Sequence, residues 1–345
     1  MKTFVIAEAG VNHNGSESFA LELVEVAARC GADAVKFQTF TAEKLVSPGA
    51  KKASYQERAT GQGDQYTMLR NLELSDDLHH KIALRCNELG IEFMSTPFDE
   101  HAVDFLLSLG MKRIKVPSGE ITNFPFLRFL AGKDIPLIVS TGMASLSEVQ
   151  EAISIINDER ERLGFNSNLR EMLCILHCTS NYPAVDGDVN LRAMQTLAKE
   201  TGLPVGYSDH TLGLAISTAA VAMGAAVIEK HFTLDKSLSG PDHQASLDPQ
   251  ELMALVFNIR SVEEALGDGV KKPVDSELAI RSLVRRSISA ARKIPEGKKL
   301  ELADLCLLRP GIGIEPKFLY DLEGLVVSRD LDAGTTLMWS DLVSK

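Results

Sequence analysis

The sequence predicts an α/β protein, a closed barrel of strand–helix units followed by a small module of short strands, and three observations carry that prediction. Eight short apolar segments alternate with helical stretches over roughly the first 266 residues. Polar and ionisable residues gather at the C-terminal ends of those segments and not at their starts. Beyond about residue 285 the helical period gives way to short apolar pieces separated by turns. Eight such units close on themselves more readily than they spread into an open sheet.

Taken in order, the strand segments are residues 3–7, 34–38, 92–95, 113–116, 137–140, 172–177, 204–207 and 227–231. Phe19, Leu23, Val26 and Cys30 are spaced for one helix face, and Leu78, Ile82 and Leu89 form another that stops at Gly90. Ser145 with Glu148 is a capping box ahead of Val149, Ala152, Ile153 and Ile156. Asp248 with Glu251 repeats the signal ahead of Leu252, Leu255, Val256 and Ile259. The expected architecture is therefore a (β/α)8 TIM barrel over residues 1–266. Gly267-Asp268-Gly269 and Lys271-Lys272-Pro273 break the last helix, so residues 267–285 read as a polar linker. Residues 286–345 read as a compact module with apolar pieces at 288–291, 305–308 and 325–327.

Composition narrows the function. A chain of 345 residues that is 45% hydrophobic can bury a large core and a second domain. The net charge of -11 argues against non-specific nucleic-acid binding, so an anionic substrate would need locally placed lysines. No apolar run is long enough for a membrane span, and the start lacks a signal-peptide core. Five cysteines, an odd number without a C-x-x-C pair, suggest reduced thiols in the cytoplasm.

The strand ends carry the chemistry a barrel mouth needs. Glu8 and the run Asn12-His13-Asn14-Gly15 follow the first, Lys36 and Gln38 close the second, and Thr96 follows the third. Lys115, Ser118 and Glu120 follow the fourth, Ser140-Thr141-Gly142-Met143 the fifth, and the stretch from His177 to Tyr182 the sixth. The seventh and eighth end in His210 and His231, which neighbouring parallel strands would set side by side. Two imidazoles there can hold one divalent ion and leave positions for water and substrate oxygens. Lys36 and Lys115 sit in apolar strands, where an ammonium is costly unless it meets an anion. Ser118, Thr96 and Ser208 could complete a phosphate cradle. The competing readings are ion pairs of the lysines with Glu8 and Glu120, or a Schiff-base lysine.

Seven runs in one order then carry a resemblance: residues 6–15, 36–39, 95–98, 140–143, 208–211, 230–233 and 309–311. Together they resemble the bacterial sialic acid synthases, N-acetylneuraminate synthase and its relatives that make legionaminic acid, over essentially the whole chain. The resemblance implies condensation of phosphoenolpyruvate with an N-acylated hexosamine to give a nine-carbon 2-keto acid and phosphate. It implies His210 and His231 as ligands of a divalent metal, manganese first, with magnesium or cobalt as alternatives. It implies phosphoenolpyruvate contacts from Lys36, Thr96, Lys115, Ser118 and Ser208, and sugar contacts from Glu8, Tyr182 and Asp242. Glu120 matches the carboxylate associated with the attacking water. Ser180 departs from the asparagine of some members, and Leu308 from a common lysine. The small module resembles type III antifreeze proteins, and in the family it lies over the neighbouring subunit's barrel, with Arg309 matching an arginine used on the N-acyl group. A homodimer with exchanged C-terminal domains follows as an expectation. N-acetylmannosamine, its 2,4-diacetamido-6-deoxy analogue and a pseudaminic precursor remain open as acceptors. A 3-deoxy-octulosonate 8-phosphate-type synthase is the more distant alternative, because no further basic cluster sits at a strand end.

Overall fold

The computed structural model describes residues 2–343, and the chain divides into a unit ending at Gly267 and a second beginning at Asp268. In the first, parallel strands β1 (Phe4–Gly10), β2 (Ala34–Thr39), β3 (Glu92–Pro97), β4 (Ile114–Val116), β5 (Leu137–Ser140), β6 (Leu173–Cys178), β7 (Val205–Asp209) and β8 (Val227–His231) form one sheet. Its order is β3-β2-β1-β8-β7-β6-β5-β4, and β3 packs beside β4 at the seam. The barrel expected from eight repeats is thus present.

Several strands run further than the hydropathy suggested, because the polar residues at their C-terminal ends still take part in the ladder. Glu8 pairs in register with Lys36 and with His231, and Gln38 with Thr96. Chemistry here belongs to the last strand residues as well as to the loops.

The helices begin and end where their caps place them. Ser16, Ser75, Asp99, Ser145 and Asp248 each accept from a backbone N–H of the first turn, satisfying a donor that the helix itself cannot. Gly90 closes the helix Asp76–Leu89 at φ 71°, a conformation that disfavours a side chain. The main apolar core lies between strands and helices, from Val5 and Leu23 round to Leu255 and Ile259. A second, small cluster fills the barrel floor with Ile6, Ala34, Met94, Ile138, Leu176 and Val227. Gly206 belongs to that layer, since a Cβ there would lie 2.4 Å from Val227 O and 2.7 Å from Leu176 Cδ2.

Residues 267–285, read as a polar linker, contain the helix Asp275–Val284. Its apolar residues Leu278, Ile280 and Leu283 are all exposed. After it come β9 (Ser287–Ala290) paired with β10 (Leu305–Leu308), and β11 (Val326–Val327) paired with β12 (Leu342–Val343). Ile288, Ile294, Leu300, Leu322, Leu331 and Leu337 are among the residues of their shared core.

Candidate active site

Side chains alternate along a strand, so the residues two beyond the barrel floor point into the same lumen. That step converts Ile6 to Glu8, Ala34 to Lys36, Met94 to Thr96, Ile138 to Ser140, Leu176 to Cys178 and Val227 to Glu229. Gly206 gives way to Ser208, and β4 adds Lys115. One step higher come Gln38, His210 and His231. An apolar floor therefore carries a charged layer, and the charged layer carries the histidines.

Both lysines and both carboxylates in the charged layer are buried. Lys36 Nζ lies 2.6 Å from Glu8 Oε2 and donates to Thr96 Oγ1 at 2.9 Å. Lys115 Nζ donates to Ser140 Oγ at 2.8 Å. Glu229 stands between them, 3.6 Å from each ammonium, and accepts from the Ser208 hydroxyl at 2.9 Å. Burial would raise the Glu229 carboxyl, yet Lys115, Lys36 and Ser208 hold it below the usual range. Glu8 goes the other way: burial dominates and raises its carboxyl despite Lys36. Burial opposes the charge on Lys36, which Glu229 and Glu8 nonetheless hold above the ordinary range. Lys115 is pulled below that range by burial, with Glu229 opposing.

Burial favours the neutral form of both histidines. Burial lowers His210 to about 4 and His231 well below its ordinary value. His210 Nδ1–H donates to the Thr179 carbonyl, which leaves Nε2 with a lone pair facing the Tyr182 hydroxyl at 3.0 Å. His231 Nδ1 is buried with no hydrogen-bond partner, 4.0 Å from Asp242 Oδ2. The two rings are 5.7 Å apart. Two neutral imidazoles, one with its tautomer set by a carbonyl and one with an orphaned nitrogen, fit a divalent ion. Among the described residues no cluster of three or more His, Cys, Asp or Glu forms a complete metal shell, so the other ligands would come from substrate and water.

Near the turn after β4, the Ser118 hydroxyl meets the turn after β5. Gly142 has φ 48°, and a Cβ there would lie 2.4 Å from Ser118 Cβ and 2.7 Å from Ser180 Oγ, so glycine is required for the close approach. Ser180 Oγ is buried without a partner.

Most residues expected from the sequence thus converge: Glu8, Lys36, Thr96, Lys115, Ser118, Tyr182, Ser208, His210 and His231 line one cavity. Asp242 is buried beside His231. Glu120 is not among the lining side chains; its Oε2 accepts from Asn123 Nδ2 at 2.6 Å. The anionic partner of Lys115 is Glu229, where the ion-pair reading had Glu120. Arg309 is an exposed residue of the second unit. The run from Asn12 to Gly15 braces loops: Asn12 Nδ2 donates to Phe232 O and Ser246 Oγ, and Asn14 Oδ1 meets His243 Nε2 at 3.1 Å. Sequence reading assigned no role to Glu229, although its position two before His231 on an inward-facing strand was the signal that could have found it.

An eight-stranded parallel barrel whose mouth holds two buried lysines, two carboxylates and a pair of histidines has the form of a barrel enzyme. The sequence profile of the NeuB family matches residues 23–271, and that of the SAF domain matches residues 285–343. The chain belongs to the NeuB family. It is 55% identical to the N,N'-diacetyllegionaminic acid synthase of Legionella pneumophila over 99% of this chain and 95% of that one. With the enzyme of the same name from Campylobacter jejuni it shares 46% identity, over 95% of this chain and 97% of the other. Among solved structures, the N-acetylneuraminic acid synthetase of Leptospira borgpetersenii in complex with citrate aligns with a TM-score of 0.69 at 33% identity, covering 81% of this chain and 90% of that chain.

Proposed function

We propose that this enzyme joins phosphoenolpyruvate to the open-chain aldehyde of an N-acylated hexosamine, consuming water and yielding a nine-carbon 2-keto acid and phosphate. The observation that carries the reading is the buried bed of Lys36, Glu229 and Lys115 beneath two neutral histidines. The acceptor we favour is the 2,4-diacetamido-6-deoxy hexosamine, supported by the two diacetyllegionaminic acid synthases above. N-acetylmannosamine is the second choice.

In the reaction, C3 of the enol phosphate bonds to the aldehyde carbon, whose oxygen takes up a proton. The C2=C3 pair is spent in that bond and leaves a cation at C2; water adds there and gives up a proton. The C2–O bond to phosphate then breaks as the new C2 hydroxyl becomes the ketone and its proton leaves with phosphate. Lys36 and Lys115 hold the phosphate and carboxylate of phosphoenolpyruvate, with Thr96, Ser118 and Ser208 donating beside them. Glu8, whose carboxyl burial raises, is suited to supply the proton taken by the aldehyde oxygen. Glu120 is assigned the proton lost by water, and Tyr182 and Asp242 the sugar. When held by His210 and His231, a divalent ion, manganese in this reading, supplies Lewis-acid polarisation of the aldehyde.

Arg309 is assigned to the acceptor's N-acyl group in a second copy of the chain, making the protein a homodimer. The exposed Leu278, Ile280 and Leu283 of the helix Asp275–Val284 support a surface that another copy covers. Five unpaired cysteines suit the cytoplasm. No described helix is long and apolar enough to cross a membrane.

Phosphate release from phosphoenolpyruvate, measured with N-acetylmannosamine, its 2,4-diacetamido-6-deoxy analogue and arabinose 5-phosphate, tests the reaction. Turnover with arabinose 5-phosphate alone would overturn it. Mixing Arg309→Ala chains with His210→Ala chains tests the dimer: activity should return as mixed dimers form, and no recovery in demonstrated mixed dimers would place Arg309 elsewhere.

A further inference from the structure

Between β2 and the helix Asp76–Leu89 the chain makes a long excursion containing the short helices Ala42–Leu45, Ser54–Thr60 and Gln65–Arg70. Connections in such barrels are usually a few residues long, so an ordered excursion of this size calls for a use. It is a built segment. Phe40, Ala42, Met68, Leu69 and Leu72 pack with Val11 in an apolar cluster of their own. Lys52 Nζ donates to Thr60 Oγ1 at 2.9 Å and to Gly61 O at 3.0 Å, and Gln65 N–H to Ala50 O at 2.8 Å. Lys51 and Asp64 form an antiparallel bridge.

From this segment Tyr55 reaches Tyr182, which lines the cavity. Its ring stacks on Tyr182 with centroids 5.3 Å apart and planes at 28°. Tyr182 in turn stacks on His210 at 4.0 Å and 29°, and meets His231 edge-on at 5.5 Å. Two rings in series, Tyr182 and Tyr55, thus stack on the proposed metal ligand His210. Tyr55 itself is partly exposed. Burial, and after it the carboxylate of Asp242, raise its phenol above the ordinary value.

The order of chemistry along this axis sets what each part can bind. The lysine bed takes the anionic groups, and the histidines come next, where the reacting aldehyde must sit. On that order, an acceptor's remaining carbons would extend past Tyr182, on which Tyr55 stacks. An aromatic face there accepts methyl groups and C–H edges. A hydroxyl pressed on it without a partner loses hydrogen bonds to water.

We infer that Tyr55 determines acceptor specificity: its ring is the outer wall of the acceptor subsite and favours a sugar bearing methyl and acetamido groups remote from the aldehyde over one bearing hydroxyls there. This rests on the condensation proposed above and deepens it. The effect expected of one such wall is roughly 10- to 100-fold, the scale of discrimination by an apolar contact in a pocket.

The test compares wild type, Tyr55→Phe, Tyr55→Leu and Tyr55→Ala in kcat/KM for the 2,4-diacetamido-6-deoxy acceptor and for N-acetylmannosamine, with KM for phosphoenolpyruvate measured alongside. Tyr55→Ala should lose about tenfold or more with the first acceptor and under about threefold with the second, leaving KM for phosphoenolpyruvate within about twofold. Tyr55→Phe should keep the wild-type preference, and Tyr55→Leu, which retains an apolar bulk, should fall between. Equal losses with both acceptors would show that Tyr55 acts only by bracing Tyr182, overturning the inference. So would a wild type that uses both acceptors equally well, although the condensation reading would then stand. A wild type that turns over neither acceptor would overturn both. Should Tyr55→Ala not fold, as judged by circular dichroism, the Phe and Leu variants decide: an unchanged preference in Tyr55→Leu would refute a role for the aromatic face.

Discussion

Both units of this protein bury carboxylates against cations, and they do so in opposite ways. In the second unit Asp304 accepts from Arg292 Nε at 2.7 Å, Lys298 Nζ at 2.6 Å and Glu301 N–H at 3.0 Å. Asp341 repeats the arrangement with Arg329 Nε at 2.6 Å and Met338 N–H at 2.9 Å. The spacing from Arg292 to Asp304 recurs from Arg329 to Asp341, so the module uses one device twice. Its arginines stay about half exposed and keep their water. In the barrel, Lys36 and Lys115 are dry, and Glu229 lies 3.6 Å from both, with Oε2 accepting no hydrogen bond. A saturated carboxylate fastens a fold. Lys36 is also held at 2.6 Å by Glu8, but Lys115 has Glu229 alone at 3.6 Å and is left able to take an incoming anion.

The largest effect that would break this contrast is at the histidines. Chelation, or His210→Ala, should abolish turnover, with Mn²⁺ restoring the chelated protein better than Zn²⁺; full activity in metal-stripped protein would remove the metal from the reading. Next come the lysines. Lys115→Met or Lys36→Met should weaken phosphoenolpyruvate binding by about 2 to 4 kcal/mol, measured by calorimetry, while the folded state persists. If either variant unfolds yet binds normally when stabilised, the barrel pairs are structural like those of the small unit. Asp304→Asn should do the reverse: phosphoenolpyruvate affinity stays unchanged and stability falls by about 1 to 3 kcal/mol in denaturant titration.

Gly206→Ala probes the floor beneath both lysines. The added methyl meets a backbone carbonyl that cannot yield, so a loss of about 1 to 3 kcal/mol is expected. The smallest effect is the pH response of the second unit. Burial would raise Asp304, but Lys298, the Glu301 N–H and Arg292 hold its carboxyl at about 2, below the ordinary 3.8. A depressed carboxyl contributes stability above its unfolded value and loses it as pH falls through the folded one. Unfolding midpoints should therefore drop between about pH 4 and pH 2, and Asp304→Asn should flatten that drop.

The eight repeats, the capping boxes at Ser145 and Asp248, and the gathering of polar residues at strand ends were legible in the sequence, because they depend on local periodicity and on side chains a few residues apart. Strand-end position alone singled out Lys36, Lys115, His210 and His231. The helix Asp275–Val284 does carry a helical apolar spacing, at Ile280, Leu283 and Val284, but it follows Gly267, Gly269 and Pro273, whose breaker signals made the stretch read as linker. Which carboxylate serves which lysine was decided only by closure of the barrel. Glu229 reaches Lys36 and Lys115 across the lumen from β8 to β2 and β4, distances in sequence that no periodicity encodes. The stack of Tyr55 on Tyr182 on His210 is likewise tertiary. It needs an excursion after β2, the turn after β6 and the end of β7 to meet at one mouth, and only the packed barrel brings them there.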